Sequence, residues 1–214
     1  MMKYKGTYIK FFPMILKKYM IEQYGKEVTK KALKGAPEIY RDMLLKCDDI
    51  GSENPMAGNI YMCFVFLAIW KAADRKIDTD SYRIVIEKFM NSPLISKIMG
   101  GKDLNNPEDM QKAKDRFHAM QDWADAHPQY RDKTWDFNFD DIKHKDGSYY
   151  HFTRCPIEAF ARKNGYLEAL PVCCDIDYLS TKASHGVLHR EYTLATGGEM
   201  CDYWIVPDKI KDPV

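Results

Sequence analysis

The chain has 214 residues, 45% of them apolar and 29% charged, with 32 lysines and arginines against 31 aspartates and glutamates. That is the composition of a globular protein long enough to bury a substantial core. A formal net charge of +1 supplies none of the strongly basic surface that nucleic acid requires, so no nucleic-acid partner is expected.

The most apolar run, residues 60–70, is shorter than the roughly 20 residues a bilayer crossing needs, so no membrane span is expected. The N-terminus carries lysines but no long apolar segment and no small-residue cleavage site, so no signal peptide is expected. Six unevenly spaced cysteines then fit free thiols in the cytoplasm better than a disulfide framework.

Over residues 8–24, Ile9, Phe12, Ile15, Leu16, Tyr19 and Met20 recur at helical spacing, and Gly25 marks the end. A second helix is expected over 27–46, with Gly35 and Pro37 as candidate interruptions. After a polar loop, Pro55 fits the first turn of a buried helix through Ala73. Asp80 and Ser81 stand where they would cap a helix bearing Tyr82, Val85, Ile86, Phe89 and Met90. Ser92-Pro93 breaks or restarts it, and Gly100-Gly101 ends it. Asn106-Pro107-Glu108-Asp109 then has a cap, a proline at the first position and acids in the first turn, predicting a helix to about His127.

The period changes here from 3.6 to two. Trp135, Phe137 and Phe139 alternate with Asp136, Asn138 and Asp140, and residues 148–153 form a second strand after the Asp146-Gly147 turn. A short helix over 156–164 stops at Gly165. Residues 167–184 predict one further helix, carrying Cys173, Cys174 and Asp177. Residues 187–195 and 200–206 predict a second hairpin turning at Gly197-Gly198. The expected fold is α+β: a helical N-terminal half, 1–130, then a four-stranded antiparallel sheet with two helices between its hairpins, 131–214, all in one compact unit.

Four of the six cysteines and three of the six histidines fall within 149–206. Cys174 and Asp177 lie three apart on a helix and share a face, so a thiol and a carboxylate point into one pocket, while Cys173 faces elsewhere. A turn at Gly197-Gly198 pairs Leu194 with Cys201, Tyr192 with Tyr203 and Arg190 with Ile205, which sets Arg190, Cys201 and Tyr203 on one face. The Arg190 guanidinium there is suited to grip a substrate carboxylate. Cys155 sits where a strand gives way to the helix opening at Pro156, and the free amides of a helix start favour a thiolate, making it the best nucleophile on residue logic. His151 is a candidate proton carrier. Each has a plainer reading: cysteines as small apolar core residues, Arg190 as an ion-pair partner at a strand end, the histidine as a surface or capping residue.

Taken in order, Arg154-Cys155-Pro156, Cys174 with Asp177, Arg190 with Thr193-Leu194-Ala195 and Gly197, and Cys201-Asp202-Tyr203 resemble the L-2-amino-thiazoline-4-carboxylic acid hydrolase family over the C-terminal third of the chain. The resemblance implies an enzyme that hydrolyses a cyclic amidine-like carbon–nitrogen bond in a small molecule, in the named case opening a thiazoline ring on the way to cysteine. It makes Cys174, Asp177, Cys155 and Cys201 the catalytic candidates, and Arg190, Thr193, Arg154, His151 and Tyr203 the substrate contacts. Two chemistries are open. In the preferred one, with no cofactor, a thiolate attacks the amidine carbon and Asp177 or His151 moves protons. In the other, Cys155, Cys174, Asp177 and Cys201 converge on zinc, a set that leaves little room for a catalytic water and would be structural. The layout also resembles small-molecule-binding domains of the vinyl-reductase sensor type, so a non-catalytic ligand-binding or sensory module is the alternative. A homodimer is compatible with both.

Overall fold

The computed structural model describes residues 1–74, 76–99, 102–140, 142 and 144–210. Helix α1 (Gly6–Lys46) bends at Gly25, whose φ of 77° is left-handed and free of Cβ clash only in glycine. The expected break therefore falls at Gly25, whereas Gly35 and Pro37 do not interrupt the helix. A Cβ on Gly35 would meet the Ala72 Cβ at 3.2 Å, so glycine there lets α1 lie close to α2 (Ala57–Ala72). Burial of Ala36 and Tyr40 beside Pro37 offsets the amide bond that proline cannot make. Helix α2 is buried on nearly every side and is the centre of the helical half. Among the described residues no helix is long and apolar enough to cross a membrane.

Helix α3 (Thr79–Met90) is capped by Asp78, whose carboxylate accepts from the Ser81 amide at 2.8 Å. The expected cap at Asp80 and Ser81 is thus two residues late, and Asp80 instead pairs with Arg83. Helix α4 (Pro93–Met99) restarts after Ser92 as expected; the Gly100-Gly101 stop lies outside the described residues. Helix α5 (Pro107–Ala126) opens as read, with the Asn106 side chain accepting from the Glu108 amide, and α6 (Pro128–Arg131) follows as a single turn.

Strands β1 (Phe137–Phe139), β2 (Ser148–Phe152), β3 (Gly186–His189) and β4 (Cys201–Pro207) form one sheet in the order β1-β2-β4-β3, each neighbouring pair antiparallel. The α+β class and the antiparallel sheet are as expected, although β1 is shorter than its alternation suggested. Close approach fixes the start of β2: a Cβ on Gly147 would stand 2.0 Å from the Ile205 carbonyl oxygen. Gly147→Ala is expected to lower stability by at least about 2 kcal/mol, read as a lower urea midpoint at an unchanged slope.

Helix α7 (Pro156–Asn164) ends at Gly165 in the left-handed conformation, as expected. The single helix expected over 167–184 is instead two, α8 (Leu170–Cys174) and α9 (Ile176–Ala183). The Tyr178 amide bonds back only three residues, to the Asp175 carbonyl, and Arg83 Nε holds the Asp175 carboxylate at 2.7 Å, which fixes the corner.

The second hairpin differs from expectation. β3 ends at His189, and Leu188, not Arg190, pairs with Ile205. The chain leaves the sheet because the Asp202 carboxylate accepts the Glu191 and Tyr192 amides at 3.0 and 2.7 Å, replacing ladder partners. Leu194–Thr196 then forms a 3₁₀ turn. A slip of two residues conserves which face each side chain takes, so Cys201 and Tyr203 still point inward. One buried apolar cluster runs from Met2 in the helical half to Ile205 in the sheet.

Candidate active site

Alternation along the strands turns Ser148, Tyr150 and Phe152 of β2, and Cys201, Tyr203 and Ile205 of β4, toward the helices. The register sets Tyr150 against Tyr203 and Phe152 against Cys201. Helices α2, α5, α8 and α9, with the start of α7, close over this face and leave a cavity of about 350 Å³. That is a volume suited to a small molecule. Its wall is largely apolar and aromatic. The charged groups on it are Asp177, Glu158, Arg116 and Lys102, and five thiols join them: Cys63, Cys155, Cys173, Cys174 and Cys201.

Asp177 is the most constrained of these. Its Oδ2 accepts from Arg190 Nη1 at 3.0 Å and from Tyr203 Oη at 2.9 Å. Arg190 Nη2 donates to the Cys174 carbonyl at 3.0 Å, and the guanidinium lies between the rings of Tyr178 and Tyr203, 4.6 and 5.4 Å from their centroids. The Arg190 side chain is 2% exposed and lies behind the cavity wall rather than on it. The guanidinium expected to grip a substrate is therefore a buttress for the carboxylate, because the loop that carries it turns off the sheet under α9. The Asp177 side chain has 40% of its area open, yet protein encloses it: that area faces the cavity. Burial pushes its carboxyl above the ordinary 3.8, and the attraction of Arg190 and the hydrogen bond from Tyr203 recover only part of the shift.

Burial raises the proton affinity of all three thiols expected in catalysis. Burial pushes Cys155 up to about 12 and Cys201 to about 11, and Cys174 rises well above the thiol range for the same reason. The amides of Glu158 and Ile157 at the start of α7 do pull Cys155 down, as its position predicts, but burial outweighs them. Burial thus works against the thiolate expected at Cys155. The Leu194 amide donates to Cys201 Sγ at 3.2 Å. Cys173, expected to face elsewhere, lies on the same wall with its Sγ 3.9 Å from the Cys63 carbonyl, because the cavity extends across both cysteines of the short α8. Among the described residues no group of three or more His, Cys, Asp or Glu side chains is arranged to hold a metal ion, so the alternative zinc set Cys155, Cys174, Asp177 and Cys201 shares a cavity without forming a ligand cluster.

Besides Arg190, three expected substrate contacts lie off the cavity. His151 alternates to the opposite face of β2 from Tyr150, across from Asp202. Arg154 Nε donates to the Thr134 carbonyl at 2.7 Å and its Nη2 to Arg131 at 3.0 Å, so it ties down the segment before β1. Thr193 caps the 3₁₀ turn by accepting from the Thr196 amide, while its neighbours Leu194 and Ala195 reach the cavity. Tyr203 lies where expected. The wall also holds residues that motif reading passed over: Tyr150, Glu158 and Arg116. Arg116 had a legible signal, since Ala113, Arg116 and Met120 fall at i, i+3 and i+7, putting a cation on an otherwise apolar helix face.

The family model for L-2-amino-thiazoline-4-carboxylic acid hydrolase matches residues 58–205, more than half of the chain. The chain belongs to this family. For an L-2-amino-thiazoline-4-carboxylic acid hydrolase family member, the matched span is informative in itself: it runs from the first turn of α2 into β4 and takes in every element that walls the cavity. The family is named for a hydrolase, which sets the general class of chemistry. No curated protein and no solved structure matches the chain.

Proposed function

We propose that the chain opens a small cyclic amidine of the aminothiazoline-carboxylate type by hydrolysis at a carbon–nitrogen bond. The observation that carries this reading is the Asp177 carboxylate. Arg190 and Tyr203 fix its Oδ2, among the described residues nothing hydrogen-bonds to its Oδ1, and its raised proton affinity suits a general base. A water adds to the amidine carbon as Asp177 takes its proton. The adduct's hydroxyl then gives up its proton as the carbonyl forms and the carbon–nitrogen bond breaks, and the ring nitrogen leaves as an amine carrying both protons of the water, one of them returned by Asp177. Water is the nucleophile in this scheme because burial pushes the Cys155, Cys174 and Cys201 thiols up, which disfavours a thiolate. The test is to incubate the purified protein with 2-aminothiazoline-4-carboxylate and measure ring-opened product. A protein that binds this compound and releases nothing refutes the hydrolase and leaves the ligand-binding module.

The base must be ionised to act, so kcat/KM is expected to fall as pH drops through the folded-state value of Asp177. The acid limb should lie above the ordinary aspartate value of 3.8. A limb at or below that value would contradict the assignment. The same shift acts on stability in the opposite direction. A carboxyl with a raised folded value stabilises the protein below its unfolded value and loses that contribution as pH rises through the folded one.

A further inference from the structure

Charged side chains reach the cavity from several elements: Asp177 from α9, Arg116 from α5, Glu158 from α7, and Lys102 from the segment before α5. Helix α9 packs on β3 and α5 on β1, and these are the two edge strands of the sheet. Asp177 therefore enters from one side and Arg116 from the other. An aromatic floor connects them. Tyr203 donates to Asp177, Tyr150 stacks on Tyr203 with centroids 4.8 Å apart, and Phe117, next to Arg116 in α5, packs on Tyr150 at 4.4 Å. Arg190, the third cation of the neighbourhood, is held behind the wall by Asp177 and the Cys174 carbonyl.

We propose that Arg116 is a specificity-determining residue: it binds a carboxylate on the ligand while the amidine end lies at Asp177. The cavity would then select zwitterionic, amino-acid-derived cyclic amidines over amidines that lack a carboxylate. The choice of amidine rests on the hydrolase reading above; the carboxylate site does not. A guanidinium presents two parallel N–H donors that match a carboxylate, and the aromatic floor between the charges seats a flat ring. Arg116 lines the cavity while remaining exposed, so replacing it removes no buried core packing.

The test measures binding separately from turnover. Thiazolidine-4-carboxylate has the ring and the carboxylate but no amidine to hydrolyse; thiazolidine lacks the carboxylate. Equilibrium binding of both is measured on the wild type and on Arg116→Met, which keeps an apolar stem. The carboxylated ring is expected to bind the wild type and to bind Arg116→Met roughly 10- to 100-fold more weakly, with thiazolidine unaffected. In turnover of 2-aminothiazoline-4-carboxylate the same variant is expected to raise KM by a similar factor with kcat little changed. Equal affinity of the carboxylated ring for both proteins overturns the proposal, as does its failure to bind the wild type. Arg116-dependent binding in a protein that turns nothing over supports the carboxylate site and removes the hydrolase reading.

Discussion

Asp177→Asn is expected to reduce kcat/KM for 2-aminothiazoline-4-carboxylate by about 10²- to 10⁴-fold, the range associated with loss of a positioned general base. The substitution is nearly isosteric, and an amide oxygen still accepts from Arg190 and Tyr203, so the fold should survive and circular dichroism should be unchanged. The loss would then belong to proton transfer. An Asn variant with near-wild-type turnover would remove Asp177 from the mechanism. Cys174→Ala, assayed beside it, separates the two nucleophiles. Attack by water survives the loss of that thiol, whereas attack by the thiol ends with it.

Arg190→Met should cost about 3 kcal/mol of stability, the lower end of what breaking a buried ion pair exacts, because Asp177 opens onto the cavity and can escape part of the penalty by binding a proton. For a chain of this length that is roughly 6–12 °C in melting temperature. The deficit should grow as pH rises, since the unpaired carboxylate then loses its proton. Adding Asp177→Asn to Arg190→Met should recover much of the loss, because it removes the stranded charge. A single variant that melts with the wild type, or a double variant no more stable than the single, would show that Arg190 holds nothing in place.

The parts of the fold that were legible in the sequence are those set by local chemistry. The cap at Asn106, the stop at Gly165, the break at Gly25 and the alternation around Phe137 each rest on residues a few positions apart. What escaped was decided at long range. Asp202 draws the Glu191 and Tyr192 amides out of the ladder and shortens β3, and Arg83 fixes the corner at Asp175 from another helix. The site divides in the same way. Asp177 and Tyr203, both carried by motifs, line the cavity, and the two-residue slip of the hairpin leaves facing unchanged. The pairing of Arg190 with Asp177 is invisible in its own segment, since nothing there reveals that Asp177 accepts its donors. Arg116 went unread because it lies outside every motif, although its place in an apolar stripe marks it. At Cys155 the local signal and the enclosure pull in opposite directions: a helix start favours the anion, and burial favours the neutral thiol more.

Helix α1 packs more extensively on α2 than on any other element, and none of its residues reaches the cavity wall. It also lies outside the span that the family shares. A helix that lines no part of the cavity thus covers the buried α2, and packing and cavity-lining are carried by different stretches of chain. Substitutions that remodel the outside of α1 would alter how the protein meets its surroundings while the reacting groups stay in place. Those in α5 or α9 would change what it accepts. Tuning the exterior and tuning the chemistry are therefore separable tasks in this architecture.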